Sequence, residues 1–180
     1  MKKFELTSET KINIFGKKLF RIKALISFAD VEAGETGGWV EKEGNVNQSG
    51  NAWVYGDAEV SDNAKVYGNA EVYGNAKVYG NAEVYGNAKV YGNTKVYGNV
   101  KVYGNAEVSG DADYTTIHGF GTQFRTTTFF RCKDKKVRVA CGCFFGTIPE
   151  FREQVKNTRK GKIAEEYLMI ADLMEKHFEK

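Results

Sequence analysis

Valine returns every six residues from Val54 to Val108, and a period this short and strict specifies a solenoid rather than a chain folded around one globular core. The repeated phrase is Ala-Glu-Val-Tyr-Gly-Asn, with lysine often replacing the glutamate. Alanine holds the first place from Ala52 to Ala112 except at Thr94 and Val100. Four residues that alternate small, charged, branched and aromatic predict a short strand with alanine and valine inward, and with the charge and the tyrosine outward. Gly-Asn supplies the bend, because these two residues best tolerate the left-handed backbone region.

The charges fix the number of sides per turn. The residue after each alanine position runs Glu59, Lys65, Glu71, Lys77, Glu83, Lys89, Lys95, Lys101, Glu107. Outward side chains on stacked strands lie about 5 Å apart. Two or four hexads per turn would stack mostly like charges, beginning with Glu59 on Glu71 or Glu59 on Glu83. Three hexads per turn pair Glu59 with Lys77, Lys65 with Glu83, Glu71 with Lys89, Glu83 with Lys101 and Lys89 with Glu107, leaving only Lys77 and Lys95 alike. A triangular coil is therefore expected. Such exposed pairs contribute at most about 1 kcal/mol each, so they report the register without holding the coil together.

A three-sided coil of hexapeptides with valine and alanine inward resembles the bacterial hexapeptide-repeat proteins. That resemblance implies a mainly β fold, a left-handed parallel β-helix of about four coils over residues 39–113. Solenoid ends expose apolar side chains and unpaired backbone, so caps are expected at 1–38 and 114–180. In the first, a hairpin turning at Gly16 is predicted, with Phe15, Leu19, Phe20, Ile22, Leu25 and Phe28 as apolar cover. In the second, Thr126–Cys132 and Lys136–Phe144 read as a hairpin about Asp134-Lys135. Thr147-Ile148-Pro149-Glu150 is a capping box opening a helix to about Arg159. Ile163, Tyr167, Ile170, Met174 and Phe178 trace one face of a last helix, completing a ββαα cap.

The stretches Leu19 to Leu25, Gly37-Gly38-Trp39-Val40-Glu41, Thr126 to Arg131 and Cys141-Gly142-Cys143 around the repeats together resemble repeat proteins encoded by phages and prophages. The resemblance implies a phage-encoded protein and carries no reaction. No apolar run follows Met1-Lys2-Lys3, no run approaches a membrane span, and three cysteines suit a reducing compartment, so a cytoplasmic location in the bacterial host is expected.

Residues 125–162 hold eleven Lys or Arg against three Asp or Glu, which reads either as exposed hairpin and helix faces solvated by lysine or as a surface for an anionic ligand or partner. The residues expected to bind such a ligand are Arg125, Arg131 and Arg138 with the hydroxyls of Thr126, Thr127 and Thr128, Arg131 and Arg138 converging across the hairpin. The period of 18 also stacks Tyr67, Tyr85 and Tyr103 in one column and Tyr79 and Tyr97 in another, candidate partner-binding surfaces. Hexapeptide-repeat folds include acyltransferases that use a histidine between subunits. Only His118 and His177 are present, both outside the repeat, so His118 is the one catalytic candidate. Cys132 falls about 13 Å along the hairpin from Cys141, which argues against one metal site for all three cysteines. No metal or cofactor is expected.

The resulting expectation is a non-enzymatic, oligomeric, phage-encoded binding protein, a dimer or trimer. Its role would be counter-defence, either blocking a bacterial immune protein or sequestering a nucleotide signal. The rival classes are an acyltransferase acting at a subunit interface and a structural spacer or assembly protein. Membrane partners are not expected, and nucleic acid stays open.

Overall fold

The computed structural model describes residues 1–179, and only Lys180 of the predicted C-terminal cap lies outside them. The chain divides into two units, the first ending at Asp111 and the second starting at Ala112.

The first unit opens with β1 (Phe4–Ile12) and β2 (Lys18–Ala24), an antiparallel hairpin, and β3 (Thr36–Val40) pairs antiparallel with β2. Two-residue strands β4 to β13 then follow every six residues, from Trp53–Val54 to Glu107–Val108. They stack in parallel as β3-β5-β8-β11, β4-β7-β10-β13 and β6-β9-β12, giving a β-solenoid of three faces and about four turns. Glu59 sits beside Lys77, Lys65 beside Glu83, Glu71 beside Lys89, Glu83 beside Lys101 and Lys89 beside Glu107, the register expected from charge. Lys77, Lys89 and Lys101 reach Glu59, Glu71 and Glu83 at 3.4, 2.9 and 3.3 Å.

From Ala52 to Val108 the alanine and valine positions line the interior and are buried. Thr94 replaces alanine inside without leaving its hydroxyl orphaned, donating to Tyr91 O at 2.7 Å. At the corners asparagine amides form ladders: Asn51 donates to Asn69, Asn69 to Asn87 and Asn87 to Asn105, at 3.0 to 3.3 Å. Between coils, Asn87 N–H meets Gly104 O at 2.8 Å. The corner is tight: a Cβ on Gly86, whose φ is +72°, would lie 3.0 Å from Gly104 N.

Where the first coil has no predecessor, three side chains supply the missing donors. Lys3 Nζ donates to Ala52 O and Gly50 O at one corner, Arg21 to Gly56 O at the second, and Asn45 to Asp62 O and Ala64 O at the third. Trp53 takes an outward position on its rung and is nonetheless fully buried, beneath Phe4 and Phe28, whose rings meet it edge-on at 5.8 and 5.4 Å. Phe4, Leu19 and Ile22 are buried as cap residues should be. Phe15 and Leu25 depart from the expected cover and are 50% and 41% exposed; Phe15, near the hairpin tip, instead lies against the Tyr79 ring at 4.9 Å.

In the second unit, β14 (Tyr114–Phe120), β15 (Arg125–Arg131), β16 (Val137–Cys141) and β17 (Phe144–Thr147) form an antiparallel sheet in that order. Two of these strands were not anticipated. Lys136–Phe144 is not one strand, because the chain turns at Gly142, which has φ +61°, and Cys141 then pairs with Phe144. Helices α1 (Ile148–Thr158) and α2 (Gly161–Phe178) follow, and Thr147 with Glu150 closes the capping box. Phe129 and Val139 of the sheet pack with Phe151, Val155, Tyr167, Ile170, Met174 and Phe178 in one apolar core. Arg152 ties the helices together through Asp172 and Glu175 at 2.7 and 2.6 Å.

Candidate binding surfaces

The outward tyrosines of the first unit are ordered by the strands beneath them. Tyr67, Tyr85 and Tyr103 stack at 4.7 Å per step with planes within 4° and 2° of parallel. Tyr73 and Tyr91 stack at 4.9 Å, and Tyr79 and Tyr97 at 5.2 Å. Tyr55 breaks the pattern and meets Tyr73 edge-on at 6.5 Å and 87°. Because Tyr55 turns edge-on and the column of Tyr79 has only two tyrosines, the ladder of Tyr67, Tyr85 and Tyr103 is the longest run of parallel tyrosine rings among the described residues. At its first rung it meets a cleft of 360 Å³ lined by Glu43, Gln48, Lys65 and Tyr67 among others.

Several of these phenols are raised above the ordinary tyrosine range. Burial first, then the hydrogen bond from Tyr67 Oη to Glu83 Oε2 at 2.8 Å and the charge of Glu83, raise Tyr67 far above the ordinary tyrosine range. Burial, with Glu71, Glu35 and Asp30, pushes Tyr55 up to about 12. Tyr79 and Tyr85 are raised chiefly by burial. Half-buried aromatic edges fixed by neighbouring rings form a surface that loses little side-chain freedom on binding.

The six residues expected around an anion in the second unit do not form one site. The turn at the β15–β16 hairpin holds three residues, Lys133, Asp134 and Lys135, not two. Lys135 takes φ +63°, its N–H bonds to Cys132 O at 2.8 Å, and Cys132 N–H bonds to Lys136 O at 3.0 Å. This extra residue shifts the register by one, so Arg131 pairs with Val137 and Arg138 with Phe130, and a slip of one moves a side chain to the other face. Arg131 and Arg138 therefore do not converge. Arg131 lies 3.4 Å from Asp113, donates to Phe178 O and covers the Phe178 ring, while Arg138 pairs with Asp134 at 2.7 Å. Thr127 and Thr128 are buried; Thr127 Oγ1 donates to Cys141 Sγ, and Thr126 meets His118 Nδ1 at 3.2 Å. Arg125 is exposed near the turn at Gly142.

His118 is exposed at the edge of the sheet, and Thr126 is its one hydrogen-bond partner among the described residues. Cys132 is buried, Cys141 half-buried and Cys143 exposed, and among the described residues no group of three potential ligands could hold a metal. None of the described helices is long and apolar enough to cross a membrane. The period of 18 stacks the corner positions Asp57, Asn75, Asn93 and Asp111 in one column, and the structure adds the amide bond from Asn75 to Asn93 at 3.1 Å.

These features define a β-solenoid protein with an N-terminal β cap, stacked tyrosine faces and a separate α/β unit. No known protein family matches the chain, and neither does any curated protein.

Proposed function

We propose that the chain is a non-enzymatic binding protein of phage or prophage origin that engages a bacterial host protein through the face of Tyr67, Tyr85 and Tyr103, acting in counter-defence. One observation carries this reading: three parallel rings at 4.7 Å spacing run into a cleft at Tyr67, flanked by Lys65, Glu83 and Lys101. Aromatic anchors with charged neighbours, preorganised on a rigid rung, are what protein interfaces concentrate at their centres. The phage origin rests on the likeness of the flanking sequences to phage-encoded repeat proteins. The acyltransferase alternative would need a base at His118, and the lone contact of that ring with Thr126 supports the binding reading over it.

The test compares two triple or double variants in phage-infected cells. Tyr67, Tyr85 and Tyr103 are changed to serine in one, Tyr73 and Tyr91 in the other, and proteins co-purifying with each are quantified by mass spectrometry. A host protein lost only from the first variant is the expected result. Equal retention by both overturns the assignment of this face.

A further inference from the structure

Six arginines lie in the chain, and four are neutralised. Arg21, Arg131, Arg138 and Arg152 each have a carboxylate oxygen at 4.0 Å or less. Arg125 and Arg159 have none among the described residues; the side-chain bond of Arg159 goes to Thr158 O at 3.0 Å. Both unneutralised arginines line one cavity of 110 Å³ in the second unit, and no aspartate or glutamate lines it with them.

The cavity is built by four segments of that unit: the turn before β15, the turn between β16 and β17, α1 with Arg159 just beyond it, and Tyr167 of α2. Arg125 lies against Gly142, where an added Cβ would stand 2.5 Å from its Nη1. Phe144 and Phe151, with ring centroids 5.5 Å apart, make an apolar wall, and Phe151 is only 3% exposed. Tyr167 marks the inner side, its hydroxyl donating to Phe120 O at 3.2 Å. Burial raises the Tyr167 phenol above its ordinary range while the charges of Arg159 and Arg125 oppose that rise, so both guanidiniums lie within electrostatic reach of one buried oxygen.

Two guanidiniums facing a carboxylate-free hollow hold positive charge that an oxyanion would neutralise with paired, planar hydrogen bonds. The carbonyl end of α1 opposes an anion with about half a unit of negative charge, less than the two cations supply. Two of its last four carbonyls already accept bonds from Arg159, Val155 O from the backbone N–H at 2.8 Å and Thr158 O from the guanidinium at 3.0 Å. At roughly 10–15 Å³ per water, the hollow has room for a small molecule.

We propose that this cavity binds the oxyanion group of a small organic acid or phosphate ester, with Arg125 and Arg159 holding its oxygens and Phe144 and Phe151 receiving its apolar end. The site is independent of the tyrosine face.

The experiment titrates the full chain with inorganic phosphate, phenyl phosphate and benzoate, with benzamide as a neutral control, following amide resonances and heat. Shifts centred on Gly121 to Arg125, Cys141 to Phe144 and Gln154 to Arg159 are expected for phenyl phosphate or benzoate and not for benzamide. The tighter of the two identifies a phosphoryl or a carboxylate ligand. Arg125→Gln and Arg159→Gln should each weaken binding about tenfold or more, as the loss of a charge-assisted bond does, while Lys135→Gln, outside the cavity, should not. Absence of shifts up to about 10 mM, a solubility-limited weak-binding ceiling, shifts centred elsewhere, or equal weakening by Lys135→Gln would each overturn the proposal.

Discussion

Lys3 Nζ donates to the carbonyl oxygen of Ala52 at 2.8 Å, across 49 residues of sequence. It does for the first coil what the backbone of a preceding coil does for every later one, and the face of the Phe28 ring, 4.8 Å away, covers the same ammonium. Lys3→Met would keep the apolar stem and strand both Ala52 O and Gly50 O. A loss of about 1–3 kcal/mol is expected by urea denaturation, the usual penalty for an unsatisfied buried acceptor.

The same contact predicts a dependence on pH. Burial lowers Lys3 to about 8 from 10.5, so between those values the unfolded chain binds the proton and the folded chain does not. Stability linked to Lys3 therefore rises with pH across that window. The stability difference between wild type and Lys3→Met should widen from pH 8 toward 10.5; a constant difference would show that Lys3 titrates normally.

Tyrosine ionisation acts in the opposite direction and at higher pH. Raised phenols such as Tyr55, at about 12, and Tyr67 stabilise the fold fully below their ordinary value of 10 and cease to do so as pH climbs through their folded values. The part of the phenolate absorbance that Tyr55→Phe and Tyr67→Phe remove should appear late and together with loss of the β-solenoid signal. Tyr67→Phe, which deletes the bond to Glu83, should cost about 0.5–1.5 kcal/mol at neutral pH.

Asp62 is the acid counterpart. The backbone N–H of Gly80 donates to it at 3.1 Å, and Lys17 lies 3.1 Å from its other oxygen; the first of these is the larger cause holding its carboxyl below the usual 3.8. Its contribution is present above 3.8 and is lost as pH falls through the depressed folded value. Asp62→Asn, which tolerates the residue's φ of +58°, should therefore be destabilised at neutral pH and converge with wild type in acid, as thermal melts at several pH values would show.

Gly86→Ala tests the corners. The residue has φ +72° and faces Gly104 N closely, so the new methyl is strained by its own backbone and by the next coil. A loss above about 1 kcal/mol is expected, whereas alanine at a compatible glycine stabilises by a similar amount. Calorimetry distinguishes the two signs directly.

How much of this was legible in the sequence depended on whether neighbours in space were also periodic in sequence. Glu59 and Lys77 could be paired from charge alone because the stacking distance is a fixed number of residues. Trp53 could not be placed, because its burial comes from Phe4 and Phe28, which belong to no repeat. Arg131 and Arg138 are parted by one residue of turn length, which no composition reveals. The cavity at Arg125 was half visible: the arginine stood out, but its companion Arg159 lies on a helix end that only packing brings to the same hollow.

Each rung of the solenoid repeats its neighbours after 18 residues, as the Asn63 to Asn81 and Asn81 to Asn99 bonds show. For the gene this means that duplications and deletions are not equal. Gain or loss of three hexads would lengthen or shorten the rod while each tyrosine still met a tyrosine and each asparagine an asparagine. Slippage by one hexad would swing everything downstream by one face and set Lys95 or Lys101 against new columns. Recombination among such similar repeats should therefore leave viable alleles that differ in whole turns, making rod length a trait that selection can adjust without redesigning either end.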